Sequence, residues 1–117
     1  MKRGTLYEKN SGKKLLREMW KANTGWERMR GLLGRPPLTA DQGLLIDPCR
    51  MVHTFGMRYP IDLAFLDASG RVRKTIVALS PGRIAGSFFA TATMEFAAGT
   101  LRRIGLRPGD TLLWREA

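Results

Sequence analysis

Thirteen glycines and six prolines are spread along a chain of 117 residues, so the stretches between turn formers are short. Glycine opens positive-φ conformations and proline removes a backbone donor, and such regular punctuation suits many short elements. The length is that of one domain, enough to bury roughly two-thirds of the unfolded surface around a single core. An apolar content of 44% can fill that core, and 26% charged residues with 9% aromatics argue against disorder. No apolar run approaches the ~20 residues of a bilayer span. Lys9, Lys13, Lys14 and Arg17 interrupt the start of the chain, so no export-signal core is present there and a cytoplasmic location is expected. Cys49 is the single cysteine and excludes an intramolecular disulfide.

Along the chain, Asn10-Ser11-Gly12 is a turn signal between two strand-like runs and predicts a hairpin. Thr24-Gly25-Trp26-Glu27 matches a capping box and predicts a helix over 25–33, with Trp26, Met29, Leu32 and Leu33 on one side. Gly34 is a stop, and Pro36-Pro37 forbids continuation. Residues 43–47 read as a short buried strand. Residues 49–57 alternate, with Met51, His53, Phe55 and Met57 on one face and Val52 and Thr54 on the other. A hairpin is expected for 61–67 and 71–79, a loop for 80–87, and strands for 88–97 and 111–115. Between the last two, residues 99–105 can make one helical turn. The expectation is a mainly β domain, α+β by count: a compact antiparallel sandwich or half-open barrel with one short helix packed on it. Residues 1–23 form a basic hairpin joined to a core of 24–115.

Three stretches carry a family resemblance: Arg28-Met29-Arg30-Gly31-Leu32-Leu33-Gly34-Arg35, Val52 to Asp67, and Leu101 to Leu112 with its Gly109-Asp110. With Gly43-Leu44-Leu45 and Glu95 to Gly99, they resemble the domain of unknown function 192 family, in order over residues 24 to 115. The resemblance implies a compact, mainly β bacterial-type domain and no particular activity. It also favours structural roles for Asp62 and Glu95, with Arg30 or Arg35 as available partners, while Gly99, Gly109 and Asp110 read as turn positions. Many relatives carry Phe-Trp-Met-Lys-Asn-Thr where this chain has Val52 to Met57, so the Lys-Asn pair is replaced here.

His53 is the only histidine, the residue type most often used as a general base, and Asp62 or Glu95 would be its orienting carboxylate in a small hydrolase or transferase. A Cys49–His53–Asp62 nucleophilic set can be written, but on a regular strand Cys49 and His53 stand about 13 Å apart. Cys49, Met51, His53 and Met57 are soft ligands of the Cu(I) type, yet an extended strand spreads them, so no metal and no cofactor are expected. Asp62 and Glu95 each lie between apolar residues, so they either face solvent, line a polar pocket or pair with an arginine, for which Arg30 and Arg35 are available.

Residues 1–35 hold ten of the twenty Lys and Arg against three of the ten acids, so the +10 charge is concentrated at the start. Lys13, Lys14, Arg17 and Lys21 are candidates for non-sequence-specific nucleic-acid contact. The reading favoured over this one and over catalysis is a small non-catalytic binding module with no membrane role. It would recognise a protein partner or small ligand through Met51, His53, Phe55, Met57, Arg58 and Tyr59, a pocket wall with one polar handle.

Overall fold

The computed structural model describes residues 1–32 and 34–117. Eleven elements follow in order: β1 (Lys2–Glu8), β2 (Lys14–Lys21), α1 (Gly25–Arg30), β3 (Gln42–Ile46), β4 (Met51–His53), β5 (Ile61–Leu66), β6 (Val72–Leu79), β7 (Ile84–Gly86), β8 (Ala92–Ala97), α2 (Thr100–Ile104) and β9 (Leu112–Glu116). Seven strands form an open sheet in the order β6-β5-β8-β3-β2-β1-β9, and β4 and β7 form a separate ribbon. The mainly β expectation holds. One pair, β2 with β3, is parallel within an otherwise antiparallel sheet, because the strap containing α1 carries the chain back before β3 begins.

The predicted hairpin forms β1 and β2. Its turn is held by the Glu8 carboxylate, which accepts from the backbone N–H of Asn10 and Ser11. This hairpin belongs to the same sheet as the core strands, through β3 on one side and β9 on the other.

The large sheet is buried on both faces at its centre. All six residues of β5 are buried, and their alternation deals them to two clusters. Ala64 and Leu66 join Met94, Phe96, Leu101 and Leu112 on one side, whereas Ile61, Leu63 and Phe65 join Leu44, Ile46, Val52 and Ala85 on the other. The first face is covered by α2, which contributes Thr100 and Leu101 to the interior. The second is covered by the ribbon and by the strap between β2 and β3.

Four expectations are corrected. The capping box forms as predicted, but α1 ends at Arg30, since Gly31 turns to φ 54°. The apolar side assigned to this helix is not a packing face: α1 has no buried residue, and Trp26 and Met29 are 69% and 76% exposed. Leu32 is buried only after the helix has ended, and Leu33 lies outside the described residues. The alternating run 49–57 is not one strand. Pairing stops at His53 because Thr54 diverts the chain: its hydroxyl donates to the Ser80 carbonyl and accepts from Arg83 N–H, while its own N–H bonds the Arg83 carbonyl. The same bonds draw the supposed loop 80–87 alongside, so that Ile84–Gly86 becomes β7. Among the described residues no helix is long and apolar enough to cross a membrane.

Candidate functional site

Register fixes where the two buried acids point. Glu95 on β8 lies directly between Leu44 of β3 and Leu63 of β5, so it shares the face covered by the ribbon and the strap. Asp62 pairs with Phe96 and points to the opposite face. There its carboxylate is saturated by backbone donors: Ala78 N–H at 2.8 Å, Gly99 N–H at 3.0 Å and Leu101 N–H at 3.0 Å. The partner of Asp62 is therefore peptide backbone, not the arginine expected. Arg30 and Arg35 brace their own strap instead, donating to the carbonyls of Gly34 and Gly31.

Glu95 is in a different situation. It is 5% exposed, and its Oε2 has no hydrogen-bond partner among the described residues. Burial among apolar neighbours disfavours the charged form and pushes the carboxyl up to about 7. Among the described residues the Tyr59 hydroxyl is the other buried side-chain oxygen without a partner, and burial together with the Glu95 charge raises its pKa. Burial likewise raises the Cys49 thiol, with the Glu95 charge adding to the effect.

Glu95 floors an open cleft of about 210 Å³. Gly31 passes close over it: a Cβ at this position would stand 3.6 Å from Glu95 Oε1. The walls include Cys49, Met51, His53, Phe55 and Met57, with Arg28, Met29 and Arg30 at the α1 side. Four of the six predicted ligand residues therefore meet in one place. Arg58 and Tyr59 line an adjoining cleft of about 480 Å³, with Leu32 and Met57 as walls common to both. His53 is exposed and its ring stacks on Phe55 at 5.3 Å between centroids.

The sequence offers Glu95 a structural role or, alternatively to Asp62, that of a carboxylate orienting His53, but no ligand-binding role. The signal that could have raised it further is its place between Met94 and Phe96 in a mostly apolar run, 92–97, on a central strand; that pattern indicates burial, but nothing in the run discloses the missing partner.

This geometry weighs on chemistry. Asp62 cannot orient His53 across the sheet, and among the described residues no carboxylate hydrogen-bonds that imidazole. A thiol whose pKa is raised is a poor nucleophile and a poor metal ligand. The Asp110 carboxylate closes a turn by accepting from Arg107 N–H at 2.9 Å, while Gly109 N–H bonds the Val72 carbonyl. Among the basic candidates, Lys14 pairs with Tyr7 and Arg17 stands 3.9 Å from Asp41, whereas Lys21 lies over the Trp114 ring.

The family model of the uncharacterized ACR family DUF192 matches residues 6–114. The chain belongs to this family. Two solved structures share its fold. A protein of unknown function from Novosphingobium aromaticivorans is 23% identical, with a TM-score of 0.78 over 96% of this chain and 84% of that one. A Sinorhizobium meliloti protein, provisionally described as a transcription regulator, is 27% identical, with a TM-score of 0.80 over 97% and 92%. No curated protein matches the chain. In this DUF192 protein, the positions that resembled the family from sequence include both the strap residues Arg28–Leu32 and Glu95, which line the same cleft.

Proposed function

We propose that this DUF192 protein is a non-catalytic binding module for a small molecule, with Glu95 as the polar handle of the site. One observation carries the reading: a buried carboxyl oxygen without a partner among the described residues, at the floor of a cleft open to solvent. An unsatisfied buried carboxyl is costly, and a donor arriving with a ligand would remove that cost. The ligand class follows from the walls. Met51, Phe55 and Met57 favour a compact apolar body, and Glu95 favours an ammonium, amidine or amide N–H at its buried end. Tyr59 lies on the far side of Met57 and extends the polar end of the site.

Benzylamine is a suitable probe, since it is an ammonium on a small aromatic body. Titrated into labelled protein and followed by amide chemical shifts, it should perturb Gly31, Met51, His53 and Glu95. Affinity should rise as the pH passes upward through about 7, because the carboxylate is the form that binds an ammonium. Benzoate should not show this gain, and Glu95→Gln should remove it. Shifts scattered over the surface, or an affinity indifferent to Glu95→Gln, would overturn the reading. Nucleic-acid binding through Lys13, Lys14, Arg17 and Lys21 ranks second. It calls for affinity falling steeply with salt, and the description of the Sinorhizobium meliloti protein gives it its only outside support.

A further inference from the structure

Ser87 to Ala90 makes a tight turn between β7 and β8, closed by Ala90 N–H on the Ser87 carbonyl. Its two corner residues are Phe88 and Phe89, which are 94% and 68% exposed. Such exposure contributes nothing to the core, yet the turn is firmly held. Ser87 N–H bonds the Arg50 carbonyl, Thr91 N–H bonds the Leu66 carbonyl, Lys74 Nζ donates to the Gly86 carbonyl, and Ala90 is buried. The fold thus presents two apolar rings on a rigid tip.

Cations lie beside the tip. The Arg73 guanidinium lies 4.9 Å from the centre of the Phe89 ring, Lys74 Nζ is held at the base of the turn, and the exposed Arg50 meets the turn through its backbone carbonyl. Of the acids in neighbouring loops, Asp67 is engaged by Arg73 at 3.5 Å, and Asp47 precedes β4. Met51, opposite Gly86 in the ribbon and 65% exposed, extends the apolar surface.

We propose that this tip is a docking surface for an anionic lipid bilayer. Protruding rings flanked by lysine and arginine suit an interface where the rings enter the headgroup–acyl boundary and the cations stay with lipid phosphates and carboxylates. The +10 net charge adds long-range attraction. The observations favour a bilayer over single-stranded nucleic acid, because Arg73 already covers a face of Phe89 that a base would stack on. They also favour it over a peptide, because the tip is convex and offers no groove. Attachment of this kind requires no spanning helix.

The test is co-flotation of the whole protein with vesicles of phosphatidylcholine alone or mixed with phosphatidylserine. Binding is expected only to the anionic vesicles. Phe88→Ser with Phe89→Ser should leave the melting curve intact and weaken vesicle binding at least about tenfold. Arg50→Gln with Lys74→Gln should weaken it by a comparable factor and flatten its salt dependence. Phe88→Trp should show a blue-shifted emission with the anionic vesicles, reporting entry of the tip itself. Binding to neither vesicle type would overturn the proposal, as would binding indifferent to the Phe88/Phe89 pair. So would an oligonucleotide affinity or a self-association that the same pair abolishes.

Discussion

Asp62 and Glu95 are alike in sequence, each an acid between two apolar residues, and both are buried on adjacent central strands. One residue of register separates their fates. Asp62 faces α2, where the N–H groups of Gly99 and Leu101 and that of Ala78 converge on it. Glu95 faces the ribbon and strap, in a cleft that Met51, Phe55 and Met57 share with His53, Arg28 and Arg30, and its Oε2 has no hydrogen-bond partner among the described residues. Burial alone therefore does not indicate what an acid does; the donors that come to meet it decide between a clamp and a binding site.

The comparison breaks most visibly at Asp62. Ala78 is the one residue other than glycine with a positive φ, 50°, among the described residues, and its N–H is held by this carboxylate. Removing the clamp leaves three backbone donors without their partner, that of Leu101 fully buried and those of Ala78 and Gly99 partly so, and releases β6 and α2 from β5. Asp62→Ala is expected to cost about 3–5 kcal/mol. Against a total of roughly 5–15 kcal/mol for a domain, that is most or much of the stability. Denaturant unfolding measures it, and a cost under about 1 kcal/mol would refute the clamp.

Glu95 should behave in the opposite sense. Its folded pKa is raised to about 7 from 4.5, so the native state holds the proton more tightly than the unfolded chain. Stability then falls as pH rises from about 4.5 to about 7 and levels off above, by an amount on the order of 3 kcal/mol. Glu95→Gln should flatten the profile and be more stable than the parent at about pH 8, since a neutral amide has no charge to desolvate. Melting temperatures across that pH range decide it, and an unchanged slope in Glu95→Gln would show that the carboxyl is not the source.

Much of the architecture was legible because it is local. The Asn10-Ser11-Gly12 turn, the Thr24–Glu27 capping box and the hairpin around Gly70 are each specified by neighbouring residues. The ribbon was not legible. Nothing between 49 and 57 announces that Thr54 will bond to Ser80 and Arg83, contacts that span 26 and 29 positions. That diversion bends the predicted strand and gathers Met51, His53, Phe55 and Met57 around a carboxyl 38 positions beyond Met57. The residue types of the site were readable, but its floor was not, because only β8's position between β3 and β5 puts Glu95 there.

The smallest of the three effects tests the opening above Glu95. Gly31 has φ 54° and ψ −127°, a conformation that side chains rarely adopt, and its Cα passes over the carboxyl. Gly31→Ala is expected to cost about 1–2 kcal/mol from backbone strain. The new methyl, at ordinary contact distance from Glu95 Oε1, would also shield the carboxyl from solvent and from an arriving donor. Two readouts should thus move together: a modest loss of melting temperature and a weaker benzylamine affinity, with the pH slope retained or steepened. If Gly31→Ala destabilises the protein but leaves benzylamine binding untouched, the route to Glu95 does not run beneath the strap, and the unpartnered oxygen must be reached from the Tyr59 side instead.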